Sequence, residues 1–371
     1  MYSQQELDDA VAAGVISAEA AAALRAHVEG QRSIAIPDEE QFRLITGFND
    51  IFVSIAAAIL LFAVGFIGQS LGEAAGLTLD FKGPSPLAPL AVAATSWALA
   101  LFFTAKRRMA LPSIILLLTF VGGVLATTGF SLAMAVGTDA LNHNNAIGGI
   151  IVAASAAVAA GAAWLHWRRF RVPITVAAGA ASVSAVAIGL LVAVVGPDDK
   201  NLENIILGFL LVLGVATFLF AMWWDGSDRS RLTRRSDVAF WLHLLAAPMI
   251  VHPIFTLLGL NNGTASLSEG LVVILLYVAL GVTALAIDRR ALLVSALAYV
   301  LYALNELFRQ FGAVELNVAL TALVIGSALL MLSAFWHQAR SAIVRPLPEG
   351  LRDRLPILDR TTPIPATQPA G

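Results

Sequence analysis

Five polar side chains in the stretch ALLVSALAYVLYALNELFRQF follow one another at helical spacing: Ser295, Tyr299, Tyr302, Glu306 and Gln310. Arg309 stands three residues after Glu306 and Asn305 flanks it, so hydroxyls, a carboxylate and a guanidinium form one stripe. The runs around them are hydrocarbon. An ionisable group at the centre of a membrane span costs about 2.5 to 3.5 kcal/mol on insertion scales, so such a stripe is expected to face a bundle interior or a wet path rather than lipid. Ser295, Tyr299 and Tyr302 are therefore candidate path-lining residues.

A second stretch, WLHLLAAPMIVHP, puts His243, Pro248, His252 and Pro253 where a spanning helix would otherwise be featureless. At about 1.5 Å per residue, His243 is about 8 Å and His252 about 21 Å from the end where the basic residues gather. Nine positions separate the two, which places them on opposite faces of an ideal helix, so one small ligand held by both would need a distorted helix. Pro248 cannot donate to the Leu244 carbonyl nor Pro253 to that of Met249, and their rings press on those turns, so both predict a kinked or broken span.

Glu306 lies about 22 Å from the basic end, the depth of His252. A polar cluster of His252, Asn305, Glu306 and Arg309 is expected there, rimmed by Glu315 and Asn317 at the start of the following helix. The competing possibility is a pair: Glu306 and Arg309 joined within one turn, with Arg309 snorkelling outward. His243, by depth, is expected to be structural.

Other chemistries are excluded or unsupported. The chain has no cysteine, which removes disulfides, thiolate metal sites and thiol catalysis. His166 and His337 are placed at helix ends and His143 in a loop, so no matched imidazole pair for haem is predicted. There is no glycine-rich phosphate loop, HExxH or GxSxG, and the basic turns are too short and scattered for nucleic acid. Neither a metal, a cofactor nor an enzymatic activity is expected.

These residues must be held by membrane helices. Of 371 residues, 58% are hydrophobic and only 13% charged, against about a quarter charged in soluble domains; the mean hydropathy is +0.81. A span needs roughly 20 mostly apolar residues, with each backbone polar group paired inside it. Ten segments qualify, near 50–71, 87–105, 111–136, 146–166, 173–195, 203–224, 238–259, 268–287, 291–311 and 314–336, the first starting too late for a cleaved signal peptide. The expected fold is an all-α polytopic bundle of about ten transmembrane helices.

Charge orients it. Twenty of the 23 basic residues fall on alternate sides, in KRR at 106–108, RRFR at 168–171, Arg229, Arg231, Arg234, Arg235, RR at 289–290 and the two termini, leaving Lys82, Lys200 and Arg309 opposite. The positive-inside rule then puts both termini in the cytoplasm. The opposite face carries nine acidic against three basic residues. An anionic vestibule would gather cations there, although a solvated rim explains the same asymmetry.

Residues 1–48 are expected to form a cytoplasmic helical hairpin and linker, 49–337 the transmembrane domain, and 338–371 a proline-rich disordered tail, since six of the last 26 residues are proline. In the hairpin, Ser3 with Glu6 makes a capping box, Gly14 closes the first helix in a left-handed conformation, Ser17 caps the second and Gly30 ends it. Its apolar face is too small to fold alone, which predicts docking on the bundle, on a second copy or on a partner protein. Arginine pairs recur at 107, 168, 234 and 289, each in a short turn; duplication explains this, and so does the positive-inside rule alone. Small residues four apart, Gly68, Gly72 and Gly76, and Ala177, Ala181, Ala185 and Gly189, predict close helix contacts.

On Leu7, Gly14, Ile16, Ser17 and Glu19 of the hairpin, and on FWLHLLAAPMIVHP and DRRALLVSALAYVLYAL, the chain resembles multi-pass bacterial integral membrane proteins of the domain-of-unknown-function type that carry a short cytoplasmic helical hairpin. The resemblance implies an address in the bacterial inner membrane and brings no activity with it. The leading expectation is a transporter or permease of a small solute or cation. The alternative is a non-transporting membrane scaffold or sensor acting through its hairpin and tail.

Overall fold

The computed structural model describes residues 10–24, 48–80, 83–137, 140–141, 145–196, 201–229, 231, 233–259, 267–290, 292–293, 297, 301 and 317–358. The chain divides into two units, residues 1–42 with 357–371, and residues 43–356. In the first, a helical stretch at 10–12 turns into another at 18–24. Gly14, with φ of 70°, donates its N–H to the Val11 carbonyl, and Val15 donates to Ala10, both at 3.0 Å. Ser17 Oγ accepts from the Ala20 N–H at 3.1 Å. The left-handed glycine and the serine cap are thus where local chemistry put them; Ser3, Glu6 and Gly30 lie outside the described residues.

The second unit contains α1 (Phe48–Ala74), α2 (Leu87–Phe103), α3 (Ala110–Val136), α4 (Asn145–Phe170), α5 (Ile174–Val195), α6 (Leu202–Gly226), α7 (Arg234–Leu257), α8 (Leu267–Ile287), α9 (Asn317–Ala334), α10 (Trp336–Val344) and α11 (Glu349–Arg352). It is all-α, with no strand among the described residues. Helices α1 to α8 fall on the first eight apolar segments and α9 on the tenth. Of the ninth segment only 292, 293, 297 and 301 are described. Six helices, α1 and α3 to α7, are long and apolar enough to cross a membrane; α9 and α10, bent by 72° at their junction, make a seventh if they form one span.

Helix α1 shows how such a helix is sided. It buries Asp50, Ser54, Ala57, Leu61, Gly68 and Gly72 and exposes Phe52, Ile55, Ile59, Phe62 and Phe66. Small and polar residues face inward and large apolar ones outward, the arrangement suited to a hydrocarbon solvent in which close packing, not water exclusion, joins helices.

The most extensive packing joins α4 to α5, α6 to α7 and α2 to α3, each pair a hairpin across a basic turn. In the first, Gly149 and Ala153 of α4 meet Gly189 and Ala193 of α5 backbone to backbone. A methyl group on Gly149 would stand 2.6 Å from the Gly189 carbonyl oxygen, and one on Gly189 2.7 Å from the Ala153 nitrogen. Gly68 likewise lies against the first turn of α2, 2.7 Å from the Leu87 carbonyl for an added methyl.

Helix α7 is the most buried of the six long helices. Val238 and Leu242 pack with Ala177 of α5 and Ala221 of α6, while Val251 and Phe255 pack with Ile325 of α9. Pro248 and Pro253 both lie inside α7, which runs unbroken from Arg234 to Leu257; Pro248 is exposed and Pro253 buried. Of the kinked or broken span expected, the broken form is absent: α7 is one helix through both prolines, packed on α5 and α6 near its start and on α9 near its end.

A second difference concerns the tail. The segment after 338, expected to be extended, is helical in α10 and again in α11. Arg340 donates through Nη2 to the Pro356 carbonyl at 2.7 Å, and Arg229, in the turn after α6, donates through Nε to the Leu355 carbonyl at 3.1 Å. Two arginines thus fasten a proline-containing segment that composition alone leaves loose. Residues 359–371 lie outside the described residues.

The α4–α5 contact gives the first testable outcome. Gly189→Val is expected to destabilise the protein by about 1–3 kcal/mol through overpacking, read as a lower melting temperature in detergent. Gly161→Ala, whose methyl meets nothing within 4 Å, should leave that temperature unchanged or slightly raised.

Candidate functional site: a buried ionic knot at the basic turns

Near the C-terminal end of α6, the sequence FAMWWDG carries Asp225 out of an apolar run. An acidic side chain in the last turn of a helix faces the negative end of the backbone dipole, and this one is only 1% exposed. Such a group persists only with strong partners. Arg289, 2% exposed, reaches it with Nη2 on Oδ1 and with Nε on Oδ2 at 3.2 Å, a forked pair. The same Nη2 also donates to the Ser236 carbonyl at 3.0 Å.

His243, fully buried on α7, places Nε2 3.0 Å from Asp225 Oδ2. With its proton on Nε2, the imidazole donates to the carboxylate. Its ring stands edge-on to Phe218 at 5.2 Å, and its Nδ1 is buried without a hydrogen-bond partner. One carboxylate of α6 therefore holds α7 through His243 and the end of α8 through Arg289.

Arg289 reaches Asp225 because of how α8 ends. Asp288 has φ of 57°, its N–H donates to the Leu285 carbonyl at 3.2 Å, and the Arg289 N–H donates to the Ala284 carbonyl at 2.8 Å. This is a Schellman closure with aspartate in the left-handed place that glycine usually takes. Arg108, Arg171 and Arg231 have φ of 53°, 52° and 55°. All four non-glycine residues of positive φ among those described therefore sit in the basic turns, so the recurrence of those turns in sequence is also a recurrence of backbone conformation.

A second pair is layered beside the first. Asp288 Oδ2 accepts from Arg231 Nη1 and Oδ1 from Trp336 Nε1, both at 2.8 Å, and Arg340 Nε stands 3.8 Å from Oδ1. Arg231 also donates to the Ile287 carbonyl at 2.9 Å. Asp228 closes the α6–α7 turn by accepting from the Thr233 N–H and hydroxyl at 2.9 and 2.7 Å, and Thr233 caps α7. Asp225, Asp228 and Asp288 against Arg231, Arg289 and Arg340 balance in charge, which is what a site removed from water requires. Burial pushes the Asp288 carboxyl up, but Arg231 and Arg340, with the Trp336 hydrogen bond and Arg289, hold it below the usual carboxylate range.

Of the candidate residues read from sequence, His252, Pro248, Pro253 and Asn317 are described. His252 is exposed on α7, whereas His243 is buried, as opposite faces require. Asn317 opens α9. Ser295, Tyr299, Tyr302, Asn305, Glu306, Arg309 and Glu315 lie outside the described residues, and so does their expected clustering with His252. Among the described residues no group of His, Asp and Glu is arranged to hold a metal.

His243 meets the Asp225 carboxylate, and neither Asp225 nor Arg289 was among the candidates read from sequence. The signal was weak: Asp225 closes an apolar run in the last turn of α6, but His243 lies nine residues inside α7, so residue counting along the hairpin does not pair the two. Arg289 resembled one more solvated basic residue, and nothing local marks it as buried.

Two outcomes test the knot. Asp225→Asn, or Arg289→Met alone, should cost about 3–5 kcal/mol, because each strands a buried partner, while Asp225→Leu with Arg289→Met should recover part of the loss; thermal unfolding of the three proteins checks this. For Asp288, a carboxyl held below its unfolded value of about 3.9 contributes stability that is complete above that value and is lost as pH falls through the lower folded one. The melting temperature of the wild type should therefore drop more steeply than that of Asp288→Asn as pH is lowered from 5 to about 3. Comparison with protein-family models, with curated proteins and with solved structures gives no match to this chain, which leaves the chemistry of the knot to carry the functional reading.

Proposed function

We propose that the chain is a ten-span protein of the bacterial inner membrane, with both termini in the cytoplasm, that moves a small solute or cation. The inner-membrane address rests on the resemblance of its hairpin and basic-turn stretches, and the orientation on the distribution of its arginines. Six helices long and apolar enough to span support the membrane setting. The observation that carries transport is Asp225, a buried carboxylate bound at once by Arg289 and by His243, from two other parts of the bundle. Asp225 stands where its span meets the basic turns, and buried ionisable groups on membrane helices are characteristic of ion and proton pathways.

On this proposal the knot is the cytoplasmic gate. A proton or cation arriving at Asp225 competes with Arg289 for the carboxylate oxygens. Loss of that fork releases the end of α8 from α6 while Ser236 and Arg231 still hold it to α7 and the turn before it, so one ionic event is converted into a shift of α6 against α8. Two alternative pairings of a single carboxylate supply the bistable element that a gate needs.

A second possibility, a non-transporting scaffold or sensor, is favoured by a different contact. Arg229 and Arg340 bind the carbonyls of Leu355 and Pro356, so the segment leading into the tail is tied to the same turns as the knot. A change in the knot would then be read out by a partner of the hairpin or tail.

One measurement separates the two. Purified protein is screened for thermal stabilisation by cations and metabolites, since a ligand of the folded state alone raises stability by about 2.7 kcal/mol at a hundred times its Kd. A transporter should respond to at least one ion or solute, and a cation acting through the knot should lose its effect in Asp225→Asn. Absence of any response across the screen would remove transport and leave the scaffold.

A further inference from the structure

Away from the knot, a cleft of about 160 Å³ opens where α9 bends into α10, lined by Arg290, Leu293, Leu297, Leu329, Leu332, Ser333 and Trp336. Its chemistry is sorted along its length. The leucines form an apolar slot, while at the bend the Arg290 guanidinium lies over the Trp336 indole, 4.8 Å from the ring centroid. Trp336 is held in place by its hydrogen bond to Asp288. Stacking engages the face of the guanidinium, whose N–H donors lie in its plane and suit a phosphate.

The cleft is too small and too apolar for a metabolite, for which pockets of about 300–1,000 Å³ with convergent polar groups are usual. It suits the part of a long molecule whose remainder lies outside. Its cationic end belongs to the basic turn after α8, the side where the distribution of arginines places the cytoplasmic headgroups, and the buried Trp336 forms the floor there. Apolar length and a cation at one end, held over a buried indole, together describe the complement of an anionic lipid, and basic clefts between helices on the cytoplasmic side bind such headgroups.

We infer that this cleft binds one anionic phospholipid, with an acyl chain along Leu293, Leu297, Leu329 and Leu332 and the headgroup phosphate on Arg290. The bound lipid would brace the bend between α9 and α10, and through Trp336 and Asp288 it would adjoin the second ion pair of the knot. The site rests on the membrane setting and not on transport: lipid retained by a protein that answers no solute leaves it standing, and transport without retained lipid removes it alone.

The test uses the full chain purified in detergent, with phosphatidylglycerol, phosphatidylcholine or inorganic phosphate added separately. Bound lipid is counted by native mass spectrometry and stability is followed by thermal unfolding. Phosphatidylglycerol is expected to leave one retained molecule and to raise the melting temperature, with phosphatidylcholine and inorganic phosphate doing neither. Ser333→Trp, at an exposed position, fills the slot, and Arg290→Gln removes the cation; each should reduce retention of phosphatidylglycerol at least several-fold. Unchanged retention in either folded variant, equal retention of phosphatidylcholine, or equal stabilisation by inorganic phosphate would overturn the assignment.

Discussion

Asp225 sets the terms for the lower half of this bundle. A carboxylate 1% exposed, in the last turn of an apolar helix, has neither water nor a favourable helix dipole to rely on. It must therefore draw a cation to itself, and the cation is Arg289. Everything nearby follows from that requirement. The end of α8 closes with Asp288 in a left-handed conformation, from which Arg289 reaches α6. Asp288, in turn, takes Arg231 and Trp336 as partners. The ionic groups are interlocked, so no member can be removed without stranding another.

The upper half obeys a different constraint. There the α4–α5 crossing is set by Gly149 and Gly189, where backbones touch. Dispersion and close approach act without charge at that crossing, which suits helices whose outer faces are themselves hydrocarbon. The architecture thus combines a tightly packed, featureless region with an ionic one, and α7 passes through both. Its two prolines are accommodated without a break, so α7 can serve as the continuous element between the two ends.

Much of the fold was legible because its signals are local. Apolar runs of spanning length, arginines at alternate turns, a glycine at the hairpin's left-handed position and a serine at its cap all act within a few residues, and helices and caps stand at those places. Other parts were not legible. The proline content after 338 suggested an extended tail, but Arg340 and Arg229 bind its carbonyls from positions 16 and 126 residues away in sequence. The partner of His243, Asp225, belongs to the preceding helix, and nothing local to either residue marks the pair. Depth alone does not pair Asp225, in the last turn of α6, with His243, nine residues inside α7; the packing of the two helices does.

What the sequence determined by itself, then, is the class of molecule: hydrophobic content, run length and the periodic placement of arginines depend only on composition and short-range order, and these dictate an all-α chain of membrane-length helices. Which arginine is a solvated anchor and which a buried counter-ion was decided only by the tertiary structure. Arg289 and Arg290 are neighbours of the same type, yet one is locked to Asp225 and the other lies over Trp336. The difference is the direction each takes out of a left-handed turn and the helix it meets, and both are properties of how the helices pack.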